Sequence, residues 1–225
     1  MFENIFRNLD WSWLISVLIS IIPALLCITF HELAHGYTAY RLGDNTAKQM
    51  GRLTLNPIKH IDIFGLLMMV VFRFGWAKPV PVNMRNFKHP RGGMAITAIA
   101  GPLSNLVLAV IIMFIYGLVF TGLGGFNPQG FSRIVLEVIH RAAYLSVALA
   151  IFNLLPIPPL DGSKVVFSFL SDEFYYKLMR YEKYGMIILL ILLNTGFFRS
   201  TFGWLTESLF NNMMAIAQAA YRLVN

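Results

Sequence analysis

Apolar residues run through this chain in long uncharged blocks with polar residues gathered between them, a pattern quite unlike the short alternations of a water-soluble fold. The first block, Trp11 to Phe30, carries no charge and is about the twenty residues needed to cross the hydrocarbon core as a helix. It predicts a helix from about Trp11 to Leu42, kinked by Pro23 and broken by Gly43-Asp44-Asn45. From Arg41 to Arg91 follows a basic zone with Lys48, Arg52, Lys59, Arg73, Lys78, Arg85 and Lys88. Only the apolar run Ile61 to Phe72 interrupts it, too short to span comfortably and expected to be re-entrant or interfacial. Lys78-Pro79-Val80-Pro81-Val82-Asn83 alternates proline with valine and predicts an extended segment.

Met94 to Phe120 is a second uncharged span, Gly122 to Gly130 a turn, and Phe131 to about Leu155 a third span that Pro156, Pro158 and Pro159 end. At the start of the third span, Arg133, Glu137, His140 and Arg141 have the spacing of a salt-bridged interfacial helix face. A polar stretch with Lys164, Lys177, Arg180 and Lys183 precedes an apolar helix, Tyr184 to Phe198. Trp204 to Val224 contains Glu207, Asn211, Asn212 and Gln218, a pattern compatible with a span or with an amphipathic helix at the interface. The expected fold is an all-α polytopic membrane protein of five to six membrane-embedded helices, with a short re-entrant or extended, β-like segment near residues 51–92. It forms a single domain over 1–225, with a core at about 11–165 and C-terminal helices at about 173–224.

Composition supports that class: 57% of residues are hydrophobic and 13% charged, with a mean hydropathy of +0.63, against about 25% charged in an ordinary soluble domain. The net charge of +7 does not point to nucleic acid, because the basic residues sit between and beside apolar spans, where lipid headgroups and topology account for them. Arg41 to Arg91 and Lys164 to Lys183 are rich in Lys and Arg, and Thr121 to Ser132 has neither, so the basic loops are expected on the cytoplasmic side. The N-terminus does not read as a removable signal peptide: its long apolar run follows Glu3 and Asp10 and leads on without a small-residue cleavage site. Cys27 is the only cysteine, which excludes an internal disulfide and a Cys-rich metal site; it is read as a small buried apolar residue.

The candidate chemistry sits at the end of the first block, in His31-Glu32-Leu33-Ala34-His35. Residues four apart share a helix face, so His31 and His35 can hold one metal ion while Glu32 reaches the water that such a metal activates for hydrolysis. A catalytic zinc takes three protein ligands, and His60, His89, His140, Asp44, Asp62 and Asp161 are the candidates for the third. Topology removes His140, which begins its helix on the far side. Asp161 ends a proline-broken segment on the same side as the histidines, where a carboxylate at membrane depth needs a cationic partner. By spacing alone it is also a plausible N-cap for the helix after it.

These segments together resemble the site-2 proteases, zinc metalloproteases of family M50 that cleave within membranes. The resemblance rests on His31 to Gly36, Gly43 to Ala47, Gly51 to Pro57, His60-Ile61-Asp62, Gly101-Pro102-Leu103-Ser104-Asn105 and Asn153 to Gly162. It implies one Zn²⁺ per chain, held by His31, His35 and Asp161, with Glu32 as general base and Asn153 as a second catalytic residue that stabilises the oxyanion or orients the substrate. An interhelical hydrogen bond is the plainer reading of Asn153, and a small-residue helix contact that of Gly101, Pro102 and Asn105. The implied substrates are transmembrane segments of membrane proteins, in a prokaryotic cell membrane, with the site towards the cytoplasm. No room exists between Gly51 and Met94 for the PDZ domain many relatives carry, and Asn45 stands where a proline is common. The chain therefore resembles the short form without PDZ or CBS domains, with substrate choice left to the substrate's own helix or to an adaptor protein. A membrane metal transporter or sensor is the alternative use of the same His/Asp set.

Overall fold

The computed structural model describes residues 11–72, 76–180 and 182–224. Glu3, Asp10 and Arg73, used above, lie outside the described residues. Among those described, the regular structure is all helical: α1 (Trp11–Arg41), α2 (Thr46–Gln49), α3 (Ile63–Phe72), α4 (Pro90–Phe120), α5 (Gly130–Asn153), α6 (Asp161–Phe167), α7 (Asp172–Arg180), α8 (Glu182–Leu193) and α9 (Gly196–Val224), with 3₁₀ turns at Pro57–His60 and Met84–Asn86. The segment expected to be extended contains no strand. Residues 76–83 are open chain, as Pro79 and Pro81, which lack N–H donors, require.

Among the described residues, three helices are long and apolar enough to cross a membrane: Ile19–Arg41, Pro90–Phe120 and Gly130–Asn153. A fourth crossing arises only if α8 and α9, bent by 82° at their junction, count as one broken span. The expected five to six is not confirmed, because α3 and α8 are 10 and 12 residues long and reach only about 15 and 18 Å. The apolar helix foreseen as Tyr184 to Phe198 stops at Leu193, where Asn194 and Thr195 turn the chain into α9. Trp204 to Val224 becomes the greater part of α9, which runs along the bundle. Phe202 meets Phe152, Phe210 meets His140, and Ala217 and Ala220 pack at Gly117.

Helices α1, α4 and α5 form the core. Cys27, Leu108, Ala109, Met113, Ala142, Ala143 and Val147 are buried together, and α9 adds Phe210 and Ala217. Small residues on facing positions let these helices approach closely, which is how helices associate where lipid is as apolar as any side chain. The Cys27 thiol donates to the Ala142 carbonyl at 3.4 Å, which is the bland packing role expected of it. Polar pins register the bundle. Ser146 Oγ donates to Asn105 O at 2.8 Å, and Arg141 bonds Glu137 and, at 2.8 Å, Ser20 Oγ of α1. Asn105 faces Ser146 while Tyr116 faces His140, so α4 runs antiparallel to α5. His35 meets Thr97 and His31 meets Asn105, so α1 also runs antiparallel to α4, and the end of α1 and the end of α5 lie at the same end of the bundle.

Candidate metal centre

At that end His31 and His35 stand one turn apart on α1, both buried. The proline segment after α5, with a cis Pro158–Pro159 bond, turns back and delivers Asp161 at the first position of α6. Gly162 permits the turn to close. A Cβ there would lie 2.2 Å from the Leu154 carbonyl oxygen, so no side chain fits between α6 and the end of α5. Asp161 does not cap its helix; Leu160 occupies the cap position and Ser163 Oγ bonds its carbonyl. The carboxylate is directed at the histidines instead.

Asp161 Oδ2 lies 3.1 Å from His31 Nε2 and 3.1 Å from His35 Nε2, and the two imidazole nitrogens are 2.9 Å apart. These three atoms lie close enough together to hold one metal ion. Ligands about 2.0–2.1 Å from a tetrahedral zinc stand about 3.3 Å from one another, within a few tenths of an ångström of the spacing found. Burial opposes ionisation of Asp161, but the hydrogen bonds and charges of His31 and His35 outweigh it and hold the carboxyl well below the ordinary carboxylate range. The group is an anion at neutral pH, as a ligand has to be. Lys164 stands 3.8 Å from its other oxygen.

Helix α4 supplies the bed beneath the two imidazoles. Gly101 sits against them: a Cβ there would come 2.3 Å from His35 Nε2 and 2.7 Å from His31 Cε1. One turn to either side, the Thr97 carbonyl accepts from His35 Nδ1 at 2.7 Å, and Asn105 Nδ2 lies 3.3 Å from His31 Nδ1. The small-residue contact expected of Gly101 is therefore present, and its neighbours are the two histidine rings themselves. Asn105 does more than pack helices. Thr97, Gly101 and Asn105 follow at four-residue intervals on one face of α4, a signal the sequence contained once α4 was set against α1.

The other candidates for a third ligand are spoken for elsewhere. Asp44 is fully buried and accepts from Thr46 N, Asn83 N and Asn86 Nδ2 at 3.1, 2.7 and 2.7 Å. Asp62 accepts from Gly65 N at 2.8 Å and caps α3. His60 Nε2 donates to Thr54 O at 2.9 Å, His89 is exposed at the start of α4, and His140 packs on Phe210 at the far end.

Glu32 shares with His31, His35 and Asp161 a cavity of about 320 Å³, whose wall includes Asn153, Lys164, Val80 and Val82. Its Oε2 accepts from the Val80 backbone N–H at 2.7 Å. That contact, not evident in the sequence, lays the extended segment directly over the catalytic candidate. The segment is tied on either side of Val80. Arg52 donates to the Lys78 carbonyl at 2.8 Å, and Asp44 holds Asn83 as described. Asn153 lines the cavity, but its Nδ2 donates at 3.0 Å to Leu149 O within its own helix, so the interhelical bond expected as its plainer role is not the one it makes.

A profile for Peptidase family M50 matches residues 128–193, which include Asn153 and Asp161. The protein "Putative zinc metalloprotease YwhC" of Bacillus subtilis (strain 168) is 44% identical over 175 residues, 78% of this chain and 80% of that protein. A similarly named protein, Rip2 of Mycolicibacterium smegmatis (strain ATCC 700084 / mc(2)155), is 29% identical over 76% of this chain and 64% of its own length. "Zinc metalloprotease MJ0392" of Methanocaldococcus jannaschii is 22% identical over 66% of this chain and 33% of its own. No solved structure matches. With apolar helices of membrane-crossing length and nearly half its aligned residues shared with YwhC, the chain belongs to peptidase family M50.

Proposed function

We propose that this peptidase is an intramembrane zinc metalloprotease, hydrolysing peptide bonds in or near transmembrane segments of membrane proteins. The observation that carries the reading is the convergence of His31, His35 and Asp161 with Glu32 in one cavity, at the end of a helix long enough to cross the bilayer. His31, His35 and Asp161 would hold the zinc, one per chain. Zinc in such a site supplies Lewis acidity, acidifying water and polarising the scissile carbonyl.

The chain's own residues do the rest. Glu32 takes the proton of the attacking water and returns it to the leaving amine, base first and acid second. Asn153 releases the bond to its own helix and offers its amide to the carbonyl oxygen or the substrate backbone. A transmembrane helix has its amides locked in internal hydrogen bonds, so a substrate has to unwind before it is cut, and the freed backbone needs partners. Lys78 to Asn83 supplies them by β-addition. Backbone groups of alternate residues face one edge of an extended chain, and Val80, whose N–H points at Glu32, marks the edge towards the cavity. An arriving substrate carbonyl takes that N–H, and Glu32 is left free for the water. Lys-rich and Arg-rich loops near this end support a cytoplasmic mouth, through which water enters. Substrates are selected by how readily their helices unwind or by an adaptor.

The test is cleavage of a membrane-spanning peptide in vesicles by the parent and by Glu32→Gln, with zinc measured on the same samples. The parent is expected to hold about one zinc, to cleave, and to lose cleavage on chelation and regain it on resupply. Glu32→Gln should keep the zinc and lose the cleavage. A parent that moves zinc across the vesicle wall without cutting, and a Glu32→Gln variant that moves it equally well, would establish the transporter reading in its place.

A further inference from the structure

An imidazole binds a metal through one nitrogen, and the hydrogen bond made by the other decides which tautomer is available. His35 is settled in this respect. The Thr97 carbonyl can only accept, so the Nδ1 that faces it at 2.7 Å carries the proton, and the Nε2 lone pair is left for the metal. His31 also turns Nε2 towards Asp161, and for that nitrogen to bind a metal its lone pair has to be free, so as a ligand His31 carries its proton on Nδ1. The polar atom beside that Nδ1 is Asn105 Nδ2, at 3.3 Å, itself an N–H donor. Two donors cannot bond each other.

Asn105 is fully buried, and its Oδ1 has no hydrogen-bond partner. A half-turn of the carboxamide exchanges two ends of nearly equal size and brings this oxygen to His31 Nδ1. The amide makes one bond to the ring in either orientation. Only the orientation with Oδ1 facing the ring leaves His31 Nε2 free as a ligand. The backbone here is held firmly, since Asn105 O accepts from Ser146 Oγ of α5 at 2.8 Å.

We propose that Asn105 is a positioning residue of the metal centre, its side-chain oxygen holding His31 in the tautomer that binds zinc as the Thr97 carbonyl holds His35. The inference rests on the reading of His31, His35 and Asp161 as zinc ligands. It assigns to α4 the outer partners of both histidines, with Gly101 between them giving the rings their space. The donor–acceptor requirement, not the volume of the side chain, is what the position demands.

The full chain in detergent, as parent, Asn105→Asp, Asn105→Leu and Asn105→Ala, tests this by zinc affinity from chelator competition, alongside the melting temperature of each metal-free protein. Aspartate keeps an acceptor, and its affinity should stay within a few-fold of the parent's. Leucine, of similar size, and alanine, smaller, have none, and both should bind zinc about 10–100-fold more weakly. That order should hold whatever the order of the metal-free melting temperatures, and alanine reads the same loss if leucine does not fold. The proposal is overturned if leucine or alanine binds as tightly as the parent, or if aspartate loses as much affinity as they do. A parent without zinc overturns the metal reading itself, an outcome distinct from any ordering among the variants.

Discussion

The helix bundle that supports the candidate ligands and the segment that crosses above them are held in different ways. Helices α1, α4 and α5 meet through buried small and aliphatic side chains, among them Ala109, Met113, Ala143 and Val147, with few polar pins. Residues 76–86 have no regular structure before the short turn at Met84–Asn86, and a handful of hydrogen bonds hold them. Arg52 binds the Lys78 carbonyl, Glu32 the Val80 amide, and Asp44 the Asn83 amide and the Asn86 side chain. Dense packing permits only small displacements, whereas a clasp of point contacts can open one bond at a time. Metal ligands require the first kind of support and a substrate-receiving edge benefits from the second.

If this division is right, an extra atom in the packed region should do the most damage. Gly101→Ala puts a methyl 2.3 Å from His35 Nε2 and should reduce zinc from about one per chain to near zero, read by metal analysis of the purified protein. Next comes the chemistry that bridges the two regions. Glu32→Gln should lower cleavage by about 10²–10⁴-fold with zinc content unchanged. A parallel loss of zinc would mean that Glu32 supports the ligands rather than the reaction.

Damage to the clasp should be smaller and should spare the metal. Asp44→Ala strands the donors of Asn83, Asn86 and Thr46 and should reduce cleavage by about tenfold, since one lost buried acceptor costs about 1–3 kcal/mol. Zinc content should remain at the parent's level. Its pH signature separates this clasp from the packed region. Burial works against ionisation of Asp44, but hydrogen bonds from Thr46, Asn83 and Asn86 prevail and lower its pKa below the ordinary value. A lowered folded-state pKa means the carboxylate stabilises the fold above the unfolded carboxyl's pKa of about 3.9, and that this contribution disappears as pH falls through the lowered value. The melting-temperature gap between parent and Asp44→Asn should therefore be open at neutral pH and close in acid. A gap that does not change with pH would mean that Asp44 acts through shape alone. The smallest effect is expected from Arg52→Lys, which keeps a charge but changes the reach to the Lys78 and Pro79 carbonyls, for a few-fold loss of cleavage.

Much of the packed region was legible beforehand, because long uncharged blocks and a four-residue repeat of histidine are local patterns that a helix translates directly into faces. The three spanning helices came out within a few residues of their expected ends. The clasp was legible only in outline. Proline alternation implies an extended chain, but not that Val80 would meet Glu32, 48 residues earlier. The C-terminal helices divided at Asn194-Thr195 rather than after Phe198, because apolar content does not reveal where two apolar helices part.

By itself the sequence determined the chemical inventory: helices of membrane length, two histidines and a glutamate on one helix, and an aspartate beyond a proline-broken turn. The tertiary structure brought Asp161 to the histidines, as the family resemblance implied, and only it decided that Asp44 and Asp62 are engaged elsewhere and that Asn105 stands at the second nitrogen of His31. The physical reason is range. Periodicity reports which residues share a face within a few turns of helix, whereas Asp161 reaches His31 across 130 positions of chain and Asn105 reaches it across 74, and such meetings are set by how the helices pack.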